Sequence, residues 1–204
     1  MIRHVVTALR FTAITALLFG IAYPIAMTGL AQTVFPAQAN GSIVRFHGRV
    51  VGSDIVGQLW LQPQYFHGRP SAAGKRGYDP TATGGTNLGP TSKKLIATTK
   101  TALAQLRGQN PGAAGPPPID LVTSSGSGID PDISPEAAYY QAPRIAATRH
   151  MSLRAVKRLI AQRVRGRAFG FLGEPRVNVL SLNTALEASR RLRVLGRPRD
   201  GVPK

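Results

Sequence analysis

Positions 11–30 form a run of twenty residues with no charged side chain. Coiled as a helix, such a run covers about 30 Å, the thickness of a bilayer core. Phe11, Ile14, Leu17, Leu18, Phe19, Ile21, Ile25 and Leu30 favour insertion enough to outweigh Thr12, Thr15 and Thr28. Gly20, Pro24 and Gly29 weaken a helix in water but are tolerated in a membrane. The pattern predicts a transmembrane helix over 11–32 after a ten-residue N-terminal segment, and a juxtamembrane linker over 33–41. Ala37-Gln38-Ala39 resembles a signal-peptidase site, but the apolar run is longer than a signal peptide's core and ends well before it. The segment therefore reads as an uncleaved anchor. Ala13, Ala16, Gly20 and Pro24 are spaced to form one close-packing face for a partner helix. Small residues are also simply common in such spans.

Past the linker the period changes. Residues 42–46 and 49–51 flank His47-Gly48 and predict a hairpin. Residues 63–90 are dense in Gly, Pro, Asn, Ser and Thr and predict a long loop. Its Tyr65, Phe66 and Tyr78 are suited to anchoring it. A helix is expected over 92–107, capped by Thr91 or Ser92 and stopped by Gly108 at C′. Leu95, Ile96, Leu103 and Leu106 form its apolar face. Residues 119–122 read as a short strand. A helix should start after Ser134, with Pro135 at N1 and Glu136 in the first turn, and break at Pro143 near Gln141. Ser152 caps another helix, with Leu153, Val156, Ile160 and Val164 on one face, and a last helix covers 182–193. The expected architecture is one α/β domain over 42–190, in which the helices at 92–107 and 153–164 pack on a small sheet. A basic tail at 191–204 follows.

Charge sets orientation and narrows the partners. The formal net charge is +17, and all nine acids lie after the span. Arg3, His4 and Arg10 precede the span, and the next Lys or Arg is Arg45. The positive-inside rule puts the N-terminus in the cytoplasm and the large domain outside. A cationic excess points to an anionic partner. Eight basic residues and no acid lie between Arg144 and Arg167. Nucleic acid fits poorly with an outward-facing domain, few nearby aromatics and no recognised module. Anionic lipid or an acidic protein surface fits better, and most of these arginines read as a solvated face.

The chemistry visible in the chain is sparse. Without cysteine, disulfides, zinc-thiolate sites and thiol nucleophiles are excluded. His4, His47, His67 and His150 offer no helical ligand pair, so no metal site is expected. No phosphate loop of the Gly-x-x-x-x-Gly-Lys-Ser/Thr kind is present, and no nucleophile elbow surrounds Ser124, Ser125 or Ser127. Residues 122–131 run Val-Thr-Ser-Ser-Gly-Ser-Gly-Ile-Asp-Pro. Such a run can form a backbone nest for phosphate, or a polar turn whose hydroxyls satisfy nearby backbone groups. The residues alone favour the turn.

Several runs, in this order and spacing, resemble the C-subunit family of the Kdp-type potassium-transporting ATPase. They are Ile55-Val56-Gly57-Gln58, Pro63-x-Tyr65-Phe66-His67-Gly68-Arg69-Pro70-Ser71-Ala72 and Gly84-Gly85-Thr86-Asn87-Leu88-Gly89-Pro90-Thr91. They continue with Val122-Thr123-x-Ser125-Gly126-Ser127-Gly128-Ile129-Asp130-Pro131, Ile133-Ser134-Pro135-x-Ala137-Ala138, Gln141-x-Pro143-Arg144, and Gly170 through Leu180 followed by Leu182-Asn183. The arginine-rich tail and the basic stretch before Arg167 depart from the pattern. The resemblance implies a non-enzymatic subunit of an ATP-driven potassium importer in the cell inner membrane. Its partners would be a channel-like potassium-path subunit and a P-type ATPase subunit, beside membrane lipid and without nucleic acid. It implies an assembly role and a catalytic chaperone that raises the ATP affinity of the ATPase subunit. No cofactor would be held stably, with ATP reached only through that subunit. Ser124, Ser125, Gly126, Ser127, Gly128 and Asp130 are the nucleotide-linked residues of the resemblance. Ala13, Ala16, Gly20, Pro24, Tyr65, Phe66, Arg69 and Asn87 are the expected partner contacts.

Overall fold

The computed structural model describes residues 1–195, as two compact units divided after Ile43. The first is dominated by one continuous helix, Ile2–Val34, long and apolar enough to cross a membrane. It is α-helical as α1 (Ile2–Leu17) and α2 (Tyr23–Val34). Between them Leu18–Ala22 form a π-helical turn, in which the Tyr23 N–H donates to the Leu18 carbonyl. Pro24 follows directly and has no N–H to give. The wider turn inserts an extra residue and rotates Pro24 away from the line that Ala13 and Ala16 define in an unbroken helix. The Thr7, Thr15 and Thr33 hydroxyls donate to carbonyls three or four residues back. A single turn, α3 (Pro36–Ala39), follows.

The second unit opens with the expected hairpin, β1 (Ile43–Phe46) and β2 (Arg49–Ser53). His47 and Gly48 both have positive φ, 51° and 78°, the mirror-image turn that matches strand twist. From β2 to α4 (Lys93–Gln109) the described chain has no further helix or strand, only an isolated bridge between Ser53 and Val56. Ser92 caps α4, its hydroxyl accepting from the Leu95 N–H. The end differs from expectation: Gly108 lies inside the helix and Asn110 closes it. The Asn110 backbone N–H and its side-chain Nδ2 both donate to the Leu106 carbonyl. An amide side chain thus does what a left-handed glycine was expected to do.

Residues 119–121 form a 3-10 turn, not a strand. The Leu121, Val122 and Thr123 N–H groups point back to Pro118 and Ile119 carbonyls, so no ladder is available. The domain's sheet is β3 (Asp132–Ile133), β5 (Arg176–Asn178) and β4 (Val164–Arg165), antiparallel with β5 central. Helices α5 (Pro135–Thr148) and α7 (Val179–Leu195) pack against β5, and both pack against α6 (Leu153–Ala161). Ser134 and Ser152 cap α5 and α6 as read from sequence.

Pro143 does not break α5, which runs through it to Thr148. Lost helix bonding there is offset by packing: Ala142, Ile145 and Ala146 are buried, and Gln141 and Arg144 are bonded to the neighbouring loop. Helix α6 stops at Ala161, so Val164 belongs to a strand and not to the helix face. The core is supplied mainly by α5 and α7, with Ile145, Leu182 and Leu186 fully buried. Burial of each such side chain contributes roughly 1.5–3 kcal/mol. Helix α6 adds Val156 and Ile160, whereas α4 adds only Leu106 and leaves Ile96 exposed.

Candidate functional site

The long loop and the serine-glycine run meet in one knitted region, and buried amides hold it there. Phe66 is wholly buried, so it serves the core and not a partner-facing surface. Its N–H donates to Asn183 Oδ1 at 2.8 Å, and Asn183 Nδ2 donates to its carbonyl at 3.0 Å. Gln141 treats the next residue alike: the His67 N–H donates to Oε1 at 2.8 Å and Nε2 donates to the His67 carbonyl at 3.1 Å. Two side-chain amides, from α7 and α5, thus pair with consecutive loop residues as a neighbouring strand would.

Arg144 is buried, and among the described residues no carboxylate pairs with it. It donates to Asn110 Oδ1 at 3.0 Å, Gln141 Oε1 at 2.7 Å, the Tyr65 carbonyl at 2.9 Å and the Pro63 carbonyl. Desolvation lowers its guanidinium to about 10, which leaves it charged at neutral pH. Tyr65 lies against Trp60, ring centroids 4.9 Å apart, and under the Arg149 guanidinium. Arg149 in turn pairs with Glu187 at 2.7 Å. Burial, with Glu187 close by, raises the Tyr65 phenol above its ordinary range.

Arg69, Ser71 and Tyr78 tie the loop to residues 124–130. Arg69 bonds Asp130 at 3.2 Å and the Ser124 carbonyl at 3.4 Å. The Ser71 hydroxyl donates to the Gly128 carbonyl at 2.5 Å and accepts from the Tyr78 N–H at 2.7 Å. The Tyr78 hydroxyl donates to the Arg69 carbonyl at 2.6 Å, and burial pushes it up to about 12. Gly128 has φ +70°, and an added Cβ would lie 2.7 Å from both Ala73 Cβ and the Gly84 carbonyl oxygen. Gly84 and Gly85 lie close against the same run, the Gly84 N–H donating to the Ser127 carbonyl at 2.8 Å. Asn87, further along that loop, is exposed with φ 52°.

Within the run, two backbone amides are engaged by its own hydroxyls. Buried Ser125 accepts from the Gly128 N–H at 2.9 Å, and the Ser127 hydroxyl accepts from the Ile129 N–H at 3.3 Å. Asp130 Oδ1 accepts from the Asp132 N–H at 3.0 Å. This is the geometry of a polar turn. Alongside lies a cleft of about 650 Å³ lined by Asp120, Asp130, Asp132, Glu136 and Glu174, five of the nine acids of the chain. Asp130 and Asp132 there pair with Arg69 and Arg176, and burial raises the Asp132 carboxyl. Among the described residues no group of His, Cys, Asp and Glu is set to hold a metal.

The basic stretch divides into distinct roles. Arg144 is buried, Arg149 is stacked and paired, and Arg165 and Arg167 pair with Asp54 and Glu174. Arg154, Lys157 and Arg158 are exposed on α6. The organising residues that sequence reasoning did not single out for a role are Asn110, Gln141, Arg144 and Asn183. For Gln141, Arg144 and Asn183 the signal was a polar side chain set among apolar helix positions, and for Asn110 an amide directly before Pro111 at a helix end.

A long apolar helix joined to a domain whose polar motifs hold its own loops is consistent with a single-pass anchored module. Comparison with known proteins is specific. The family described as K+-transporting ATPase, c chain (KdpC), matches residues 5–188. The potassium-transporting ATPase KdpC subunit of Methylococcus capsulatus is 50% identical over 190 residues, covering 93% of this chain and all of the relative. That of Caulobacter vibrioides is 51% identical over 202 residues, 98% of this chain and all of the relative. That of Myxococcus xanthus is 55% identical over 182 residues, 89% of this chain and 86% of the relative. The chain belongs to the KdpC family and is a non-catalytic subunit.

Proposed function

We propose that the chain is the accessory subunit of an ATP-driven potassium importer in the cell inner membrane, anchored by its helix with the N-terminus cytoplasmic and the domain outside. It binds a channel-like potassium-path subunit and thereby stabilises the assembly with a P-type ATPase subunit. It raises the ATP affinity of that subunit by long-range coupling, not by touching nucleotide. The orientation is supported by Arg3 and Arg10 before the span and the absence of Lys or Arg from there to Arg45. The observation that carries the coupling reading is the engagement of the Gly128 and Ile129 amides by Ser125 and Ser127. Two of the run's amides are thus taken up by its own hydroxyls, as in a polar turn, and an outward-facing domain is on the wrong side for cytoplasmic ATP. Coupling then requires two states of the complex in which the domain makes different subunit contacts. In this reading Arg69 and Asp130 shape the loops that meet the partner.

The test is affinity purification of the tagged full chain in mild detergent from potassium-starved cells. Co-elution of a multi-span channel-like protein and a P-type ATPase, with potassium-stimulated ATP hydrolysis, is expected. Recovery of the chain alone despite good expression would overturn the subunit role. Protease treatment of intact spheroplasts should cut the domain, and full protection would reverse the orientation.

A further inference from the structure

The most exposed aromatic side chains of the second unit sit together at one hairpin tip. Strands β4 and β5 are joined by residues 166–175, and Ala168 and Leu172 exchange both backbone hydrogen bonds at 2.9 Å. Phe169 is 88% exposed, Phe171 75% and Leu172 58%. Phe169 holds φ 54° and Gly170 φ 82°. A bulky non-glycine residue seldom adopts that backbone region, and here it turns the tip into a fixed, presented shape. In a chain with 6% aromatic residues, two phenylalanines left bare at a closed tip mark a contact surface.

The charges around the tip decide what covers it. Arg165 pairs with Asp54 at 2.9 Å, Arg167 with Glu174 at 2.8 Å, and Arg176 with Asp132 at 3.0 Å. The flanks are therefore neutralised within the domain. An anionic bilayer would be matched by unpaired cations beside the aromatics. Among the described residues, the exposed cations of this region with no ion pair are Arg154, Lys157 and Arg158 on α6, and Arg163, which bonds the Ser181 hydroxyl before β4 and away from the tip. An apolar centre rimmed by self-paired arginines matches the make-up of a protein interface, where aromatics anchor and charge is depleted at the core. Residues 196–204 have Val202 as their one apolar side chain besides proline and glycine, too little to cover two phenylalanines and a leucine.

We infer that Phe169, Phe171 and Leu172 form an anchor seated in an apolar groove of the channel-like subunit of the transport complex. This rests on the proposed role as a complex subunit and names the surface through which that role is exercised.

The test places a photo-crosslinker at the tip, Phe171→p-benzoylphenylalanine, in the full chain expressed with its complex. After illumination in membranes, the adduct is identified by mass spectrometry. An adduct with the channel-like subunit is expected, and an adduct only with the P-type subunit would overturn the assignment. The double variant Phe169→Ser/Phe171→Ser should recover the channel-like subunit about tenfold less well while the chain's own Tm stays unchanged. Adducts only with lipid would make the tip a membrane contact, adducts only with a second copy would make it a self-association surface, and no adduct would leave it uncovered. Each of these overturns the inference. Failure of the unmodified chain to recover any other subunit overturns the proposed function itself, and is read separately from the variants.

Discussion

Asn183 holds the backbone of Phe66 from 117 residues away, accepting its N–H at 2.8 Å and donating to its carbonyl at 3.0 Å. Asn183 is 1% exposed and Phe66 wholly buried. Removing the amide leaves two buried backbone groups without partners, each costing about 1–3 kcal/mol. Asn183→Ala should therefore destabilise the chain by about 3 kcal/mol. In a chain of this size that lowers Tm by on the order of 10 °C, read by near-ultraviolet circular dichroism of the full chain in detergent. An unchanged Tm would show that the loop is held by Phe66 burial alone.

Gly128 and Gly126 make a matched pair. Gly128 has φ +70° and no room for a Cβ, whereas nothing lies within 4 Å of a Cβ added at Gly126. Gly128→Ala should cost about 3 kcal/mol from the left-handed backbone and the clash together. Gly126→Ala should stay within about 0.5 kcal/mol of the parent. Equal Tm values for the two variants would mean that the loops part easily at Gly128.

These contacts show which parts of the structure were legible in the chain. The His47-Gly48 turn and the Ser92, Ser134 and Ser152 caps are local devices, and residue type announces them. The long loop was legible from its Gly and Pro content, and Tyr65, Phe66 and Tyr78 do anchor it. What fixes the loop was not legible, because Asn183 and Gln141 act across separations of 117 and 74 residues. Pro143 misled for the same reason: local chemistry favours a break, and the packing of α5 overrides it. Gly108 misled because Asn110, bonded to Arg144, offered a competing stop two residues on. For residues 124–130 the plain chemistry of Ser and Gly pointed to a turn, and the hydroxyls do bond the local backbone.

His67 should give the protein an acid-side loss of stability. Burial and the nearby Arg144 guanidinium hold its pKa below the ordinary 6.5. The unfolded chain then takes up the proton first. The contribution is fully present above 6.5 and is lost as pH falls through the depressed folded value. The ring also faces the Gln62 carbonyl at 3.1 Å, a contact that a glutamine can keep. Between about pH 7 and about pH 5, His67→Gln should show a smaller fall in Tm than the parent. Identical slopes would put the acid sensitivity elsewhere.

Tyr78 should act at the alkaline end. Its hydroxyl is raised from 10.0 to about 12, chiefly by burial and secondly by Asp130. The unfolded chain ionises first, so stability falls as pH rises from about 10 to about 12. Tyr78→Phe removes this dependence. It also costs about 1 kcal/mol at neutral pH, because the Arg69 carbonyl loses its donor. Tm measured at neutral pH and again near pH 11 separates the two effects. A variant that matched the parent at both would place the Tyr78 hydroxyl in water.

Ser125→Ala distinguishes coupling from nucleotide contact. Ser125 is 6% exposed, and its hydroxyl accepts the Gly128 N–H at 2.9 Å. Loss of the hydroxyl leaves a buried amide unpaired and loosens the turn, at a cost of about 1–3 kcal/mol. If the run only shapes the domain, fewer chains assemble, but each assembled complex hydrolyses ATP with an unchanged KM. If the run touches nucleotide, the assembled complex keeps its subunits and its KM for ATP rises. Activity is therefore measured against ATP concentration and normalised to the P-type subunit recovered with the chain. We expect lower recovery at constant KM. A KM raised about fivefold or more, a typical coupling-scale effect, at full recovery would overturn the coupling reading and put ATP at the serine-glycine run.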